Sequence, residues 1–211
     1  MKTMRKFFHY AFIALLSTAV LTSCDDDDDD DVMPPAEENE TETITDVTLL
    51  FINGNDTIKA SAKDEDDLGP DPLVILDTIR LAVNTTYELN FIIENNIADD
   101  PDEVNIAAEI AEEDDEHQFF FGFTDGAFAN PTGEGNLEED DMVNYNDEDS
   151  ENQDGTGLPV GLSTTWETSA NPLMEGFFKV RLAHQPDLKD ENSGPDTGES
   201  DFDLDFVLEI Q

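Results

Sequence analysis

Apolar residues recur at every second position in several separate runs of this chain. In the clearest run, residues 201–210, mostly acidic residues alternate with Phe202, Leu204, Phe206, Leu208 and Ile210. Similar runs cover residues 47–51, 87–93, 160–166 and 178–184, with shorter candidates at 56–62, 73–81 and 118–123. Successive side chains of a strand point to opposite faces, so this period predicts antiparallel strands with one wet face over a shared core. The pattern predicts a mainly β protein, an Ig-like antiparallel β-sandwich of about eight strands.

One segment, residues 101–115, departs from the alternation. Asp100 is a typical helix-capping residue, and Pro101 suits the first helical position. Val104, Ala107, Ala108 and Ala111 follow at helical spacing, although Ile106, Ala108 and Ile110 also fit a strand. We expect one short helix near 101–115.

The amino-terminal residues differ from the rest of the chain. Lys2, Arg5 and Lys6 precede an apolar run that is too short for a spanning helix and is typical of a secretory signal. Leu21-Thr22-Ser23-Cys24 ends this run and resembles a bacterial lipobox, in which the cysteine is acylated. Cys24 is the only cysteine, so no disulfide explains it. An ordinary signal peptide with a chance cysteine is the alternative interpretation.

The composition then divides the chain into three parts. Residues 1–23 form the predicted lipoprotein signal peptide. Residues 24–42, which begin with seven aspartates after Cys24, are too polar and like-charged to fold and form a predicted tether. Residues 43–211 form the predicted sandwich domain, which is long enough for one core.

The charge of the chain restricts its partners. It has 53 acidic and 9 basic residues, a formal net charge of −44. Nucleic acid and anionic lipid are excluded as ligands because phosphate binding requires a basic surface. Cations, basic surfaces and neutral ligands remain, and the predicted contact with the membrane is the lipid on Cys24.

Two histidines beyond the signal peptide suggest a metal site. If the helix continues, Glu109, Glu113 and His117 lie four residues apart on one face, and His184 ends an alternating run on its apolar side. His117, His184 and Glu113 together would suit zinc or copper. The alternative is a hydrogen-bonded His184 at the rim of the sandwich beside a solvated acidic face.

Two acidic loops offer oxygen ligands for calcium. Asp64 and Asp66 lie in the first loop, and Asp147 and Asp149 lie in the second. Alternating carboxylates suit calcium, but neither loop completes the twelve-residue EF-hand pattern. A solvated loop is the other interpretation of each.

Catalytic signatures are scarce, so we expect a protein that is not an enzyme. The chain has no Gly-x-Ser-x-Gly elbow, phosphate-binding glycine loop or His-Glu-x-x-His motif. Carboxylate pairs for glycoside hydrolysis are possible in so acidic a chain, but nothing singles one out. Trp166 is in phase with the apolar residues of its run, which favours packing over a ligand platform.

Several short motifs resemble a known family. In order they are Leu21-Thr22-Ser23-Cys24 with its aspartates, Asn84-Thr85-Thr86-Tyr87, Glu116-His117-Gln118-Phe119-Phe120, Asn144-Tyr145-Asn146-Asp147, Pro159-Val160-Gly161-Leu162 and Arg181-Leu182-Ala183-His184-Gln185-Pro186. Together they resemble small Bacteroidota lipoproteins labelled "type 1 periplasmic binding fold superfamily protein". That label implies two α/β lobes closing over a ligand, whereas the alternation of this chain predicts a sandwich. In that phylum, aspartates after the lipidated cysteine resemble an export signal to the cell surface.

These observations predict an outer-membrane or cell-surface lipoprotein that acts as a non-catalytic binding module. It is expected to capture a divalent cation or to assist a TonB-type transporter. The alternative is a structural or adhesive surface protein whose acidic loops are stabilised by calcium.

Overall fold

The structure, a computed structural model, describes residues 42–64, 72–148 and 157–211. The predicted signal peptide, Cys24 and the predicted tether up to residue 41 lie outside these residues. Asp66 and Asp149, one member of each proposed calcium pair, also lie outside them.

Two β-sheets make up the described part of the chain, which confirms the predicted mainly β, sandwich-like fold. The larger sheet has the strand order β3-β2-β1-β5-β8-β7, and the smaller has the order β4-β10-β9-β6. The strands are β1 Asp46–Asn53, β2 Asp56–Lys63, β3 Val74–Ile75, β4 Ile79–Leu81, β5 Thr86–Glu94, β6 His117–Phe123, β7 Phe128–Asn130, β8 Ser163–Thr168, β9 Leu173–His184 and β10 Glu199–Ile210.

The described residues contain ten strands, against the eight or so predicted, for two reasons. The short strand β7 does not stand out in the sequence, and the candidate run 73–81 is divided between the sheets. Its first part, β3, pairs with β2, and its last part, β4, pairs in parallel with β10. Between them, Asp77 accepts hydrogen bonds from the backbone N–H and the hydroxyl of Ser61. Residues 76–78 therefore carry the chain from the larger sheet to the smaller sheet.

The predicted helix near 101–115 is present as two short pieces. A 3-10 turn covers Pro101–Glu103, and a seven-residue α-helix, α1, covers Ile106–Glu112. Asp100 caps the turn by accepting the backbone N–H of Asp102 at 3.1 Å. Ile106 and Ile110 are buried, so the helix packs one face on the domain. In the described residues no helix is long and apolar enough to span a membrane.

Aromatic side chains from both sheets fill the core. Phe91 of β5 stacks on Phe119 of β6 with ring centroids 4.6 Å apart. Trp166 of β8 is fully buried and lies 5.0 Å from Phe178 of β9, centroid to centroid. Its indole N–H donates to Thr164 at 2.7 Å, which satisfies its one polar group. This agrees with the interpretation of Trp166 as packing.

Candidate metal centre

The two histidines predicted as ligands face each other across neighbouring strands. His117 begins β6, His184 ends β9, and the antiparallel register pairs them directly. Both are buried, and their rings stack with centroids 4.6 Å apart and planes 3° from parallel. An imidazole lone pair lies in the plane of its ring, and two parallel planes do not meet. In this arrangement the two histidines therefore cannot both bind one ion.

The imidazole of His117 is neutral in the folded chain. Its Nδ1 lies 3.2 Å from the backbone carbonyl oxygen of Glu113, and a carbonyl can only accept, so Nδ1 carries the proton. This leaves Nε2 with a lone pair, and Nε2 is buried without a hydrogen-bond partner. Burial lowers the pKa of His117 to about 4, assisted by the neighbouring His184 and Lys189. A metal-binding imidazole has this same protonation state.

Carboxylates lie close to the ring of His117. One ligand atom each of Glu42, Glu113 and His117 lies within 4.8 Å of the other two, the only such group among the residues described. Oδ2 of Asp201 lies 3.8 Å from Nε2 of His117, and it too is buried without a hydrogen bond. We call Glu42, Glu113, His117 and Asp201 the cation site.

Asp201 enters the cation site through an irregularity in β10. Ser200 pairs with Ala183 and Phe202 pairs with Leu182, so Asp201 is an extra residue without a partner on β9. Such a β-bulge re-aims a side chain. The Asp201 side chain is consequently 0% exposed, although strict alternation would place it with the outward-facing acids of this strand.

The carboxylates of the cation site are forced close to one another. Burial raises the pKa of Glu42 to about 7, and the charges of Glu109, Asp201 and Glu113 contribute to this shift. Burial also raises the pKa of Asp201 to about 6, although the N–H of Glu42 opposes this shift. Clustered carboxylates with raised pKa values are characteristic of sites that bind protons or cations.

The other predicted ligand, His184, has a different neighbour. Its Nε2 lies 3.6 Å from Oε2 of Glu116, and its ring stacks on that of His117 without joining the cation site. The structure thus groups His117 with Glu113, and it adds Glu42 and Asp201, which the sequence interpretation missed. Glu113 itself follows the end of α1, so a continuing helix is not what brings it to His117.

Of the proposed calcium residues, two are described and each has a role in the local backbone. Both carboxylate oxygens of Asp147 accept backbone N–H groups, from Gly161 at 2.9 Å and from Ser163 at 3.1 Å. Asp64 is buried, and its N–H donates to the carbonyl of Thr45 at 2.8 Å. Asp147 therefore acts as a connection between its loop and the start of β8.

Comparison with protein-family models, with curated proteins and with solved structures finds no match for this chain.

Proposed function

We propose that this protein is a non-catalytic binding module of the bacterial cell envelope that holds one divalent cation at the cation site. The lipobox-like Leu21-Thr22-Ser23-Cys24 supports attachment to the outer membrane, facing the cell surface. The predicted anchor and tether, the β-fold and the absence of catalytic motifs from the sequence support a role in capturing a ligand or in assisting a TonB-type transporter. The net charge of −44 would raise the concentration of cations near the protein.

One observation supports the metal ligand above all others. Nε2 of His117 and Oδ2 of Asp201 face each other at 3.8 Å, both buried and both without a hydrogen-bond donor. Two buried acceptors in this position repel each other and lose their solvation, at a cost of about 1–3 kcal/mol per group. A cation between them would remove both penalties.

The geometry and the ligand types favour zinc or copper over calcium. Two ligands of a tetrahedral zinc ion lie about 3.3 Å apart, close to the separation of His117 and Asp201. An imidazole nitrogen with carboxylate oxygens suits zinc and copper, whereas calcium requires six to eight oxygens. The burial of the site is graded: His117 is buried, Glu42 is half-buried and Glu113 is exposed. An ion could therefore enter from the side of Glu113.

Calorimetric titration of the mature chain with zinc, copper and calcium tests this proposal. The chain carries Cys24→Ser, so that no thiol binds metal, and no affinity tag. We expect one zinc per chain, and we expect His117→Gln to weaken zinc binding at least about tenfold, the range seen when supporting groups of metal sites are removed. His184→Gln is the matched control because His184 is also buried and lies outside the cation site, so this variant should keep most of the affinity.

Three results would contradict the metal function. They are no heat with zinc or copper, equal zinc binding by the parent and His117→Gln, and loss of binding in His184→Gln alone. A melting temperature that rises with calcium equally in the parent and in His117→Gln would instead favour the structural alternative with calcium-stabilised loops.

A further inference from the structure

Glu42 occupies a particular position in the chain. It is the first residue the structure describes, it lies eighteen positions after Cys24, and β1 starts four residues later. Between Glu42 and β1, Ile44 is buried and the backbone N–H of Thr45 donates to the carbonyl of Glu94 at 2.9 Å. Residues 42–45 therefore form the described part of the link between the predicted anchor and β1.

Glu42 is also the point where three other elements meet the amino-terminal segment. Its backbone N–H donates to Oδ1 of Asp201 in β10 at 3.1 Å. Its carboxyl group lies near Glu109 of α1, the carboxylate of Glu113 and the ring of His117 at the start of β6. These partners are 67 or more positions away in sequence, so the contacts attach the start of the domain to elements that are distant along the chain.

The sign of the charges makes this closure depend on a cation. Without an ion, the carboxylate of Glu42 lies beside those of Glu109, Glu113 and Asp201, and the like charges weaken the attachment of residue 42 to the domain. With a divalent ion the carboxylates of the cation site become ligands of one centre, and the repulsion becomes attraction. Among the described residues, Glu42 is the one member of the cation site that precedes β1.

Building on the proposed function, we infer that the bound cation is a clasp that fastens residue 42 to α1, β6 and β10. Cation occupancy then controls whether residues 42–45 are docked or open. A ligand that binds only the docked state lowers the ratio of open to docked chains by a factor of one plus its free concentration divided by its dissociation constant, which is about 100-fold at 100 times that constant.

Cleavage of the mature Cys24→Ser chain by a glutamate-specific protease tests this inference, with the products identified by mass spectrometry. The bond read out is Glu42–Thr43. We expect rapid cleavage there in EDTA and cleavage up to about 100-fold slower with saturating zinc. Cleavage after Glu191, which is exposed in the loop between β9 and β10, serves as the internal control and should not change with zinc.

Two variants separate the clasp from a general effect of zinc. His117→Gln should lose the protection of the Glu42–Thr43 bond. Glu112→Gln should keep it, because Glu112 is exposed at the end of α1, one residue before Glu113, and is outside the cation site. Hydrogen exchange of a peptide spanning residues 42–50 gives a second readout that does not require a protease to recognise Glu42. We expect zinc to slow this exchange.

The results distinguish this inference from the proposed function. If zinc binds by calorimetry but cleavage after Glu42 and exchange of residues 42–50 are unchanged, the clasp is wrong and the cation function stands. If the Glu42–Thr43 bond is equally resistant in EDTA, the segment is docked without an ion and the clasp is again wrong. If neither zinc nor copper produces heat, both proposals fail.

Discussion

The protonation of Glu42 determines how this part of the protein responds to pH. Burial and three neighbouring carboxylates raise its pKa from 4.5 to about 7. Between pH 4.5 and about pH 7, the folded chain binds more protons at Glu42 than the unfolded chain does. Glu42 therefore stabilises the folded state at low pH, and this contribution is lost as the pH rises. His117 acts in the opposite direction, because its pKa is lowered from 6.5 to about 4. The two effects partly cancel in the parent protein.

Replacing Glu42 with glutamine isolates its contribution. In EDTA at pH 7.5 we expect the free energy of unfolding of Glu42→Gln to exceed that of the parent by about 1 kcal/mol, a figure already reduced for the partial exposure of Glu42. This corresponds to a melting temperature about 2–4 °C higher. At pH 4.5 the difference should disappear, because the parent group is then protonated in the folded state. Thermal melts from pH 4.5 to 7.5 check this, and a constant difference across that range would contradict it.

The residues of the cation site differ in how far the sequence can reveal them. His117 and Glu113 stand out because the predicted domain has two histidines and because spacing links Glu113 to His117. Glu42 could not be found, since its acidic surroundings in sequence assign it to the tether. Asp201 could not be found either, because it follows the apolar-acidic alternation of residues 201–210 and the bulge that turns it inward leaves no mark in the pattern.

At the level of elements, the turn before β10 helps to set the position of Asp201. Gly198 has a φ of +77°, and Glu199 immediately pairs with His184. A Cβ atom at Gly198 would overlap the carbonyl oxygen of His184 and would lie 3.0 Å from Cα of Gln185. Both are backbone atoms, so the start of β10 would have to move. Gly126 has a similar φ of +75°, but a Cβ atom there would have nothing within 4 Å.

These two glycines form a matched pair for mutation. Gly126→Ala should cost about 1–2 kcal/mol, the penalty of a left-handed alanine. Gly198→Ala should cost about 1–3 kcal/mol more from overpacking and should also weaken zinc binding. Urea denaturation followed by the fluorescence of Trp166, with calorimetry for zinc, provides the measurement. Equal losses in the two variants would show that the backbone contact with His184 is unimportant.

The elements themselves are largely predictable, with instructive exceptions. Long runs such as 47–51, 87–93 and 202–210 form strands because burial of one face imposes period two on the sequence. The run 73–81 is predicted as one strand, but its two ends pair with different sheets. Partner choice depends on residues far away in sequence, so local alternation does not contain it. The short α1 is predictable in place, but its end at Glu112 is not.

At the scale of the whole molecule, the predicted anchoring at Cys24 would determine where the proposed cation site acts. Cys24→Ala in the full-length precursor should abolish incorporation of a labelled fatty acid and should move the protein from the detergent-rich to the aqueous phase on phase separation. Physically, one acyl chain contributes about 0.8 kcal/mol for each buried CH₂, and the very acidic chain has no basic surface that would hold it at a membrane. Fatty-acid labelling that persists in Cys24→Ala would contradict lipidation at this residue.

The central position of β10 has a consequence for how the molecule is made. This strand lies between β4 and β9 in the smaller sheet, and its partner β4 precedes it by more than a hundred residues. During synthesis β10 is the last of the described strands to leave the ribosome, so the nascent polypeptide cannot complete its smaller sheet until then. Pairings of such long range also slow folding, to roughly the millisecond-to-second scale typical of sandwiches. Such a delay would suit the secretory signal that the sequence predicts, because a chain that folds late is still unfolded when export begins.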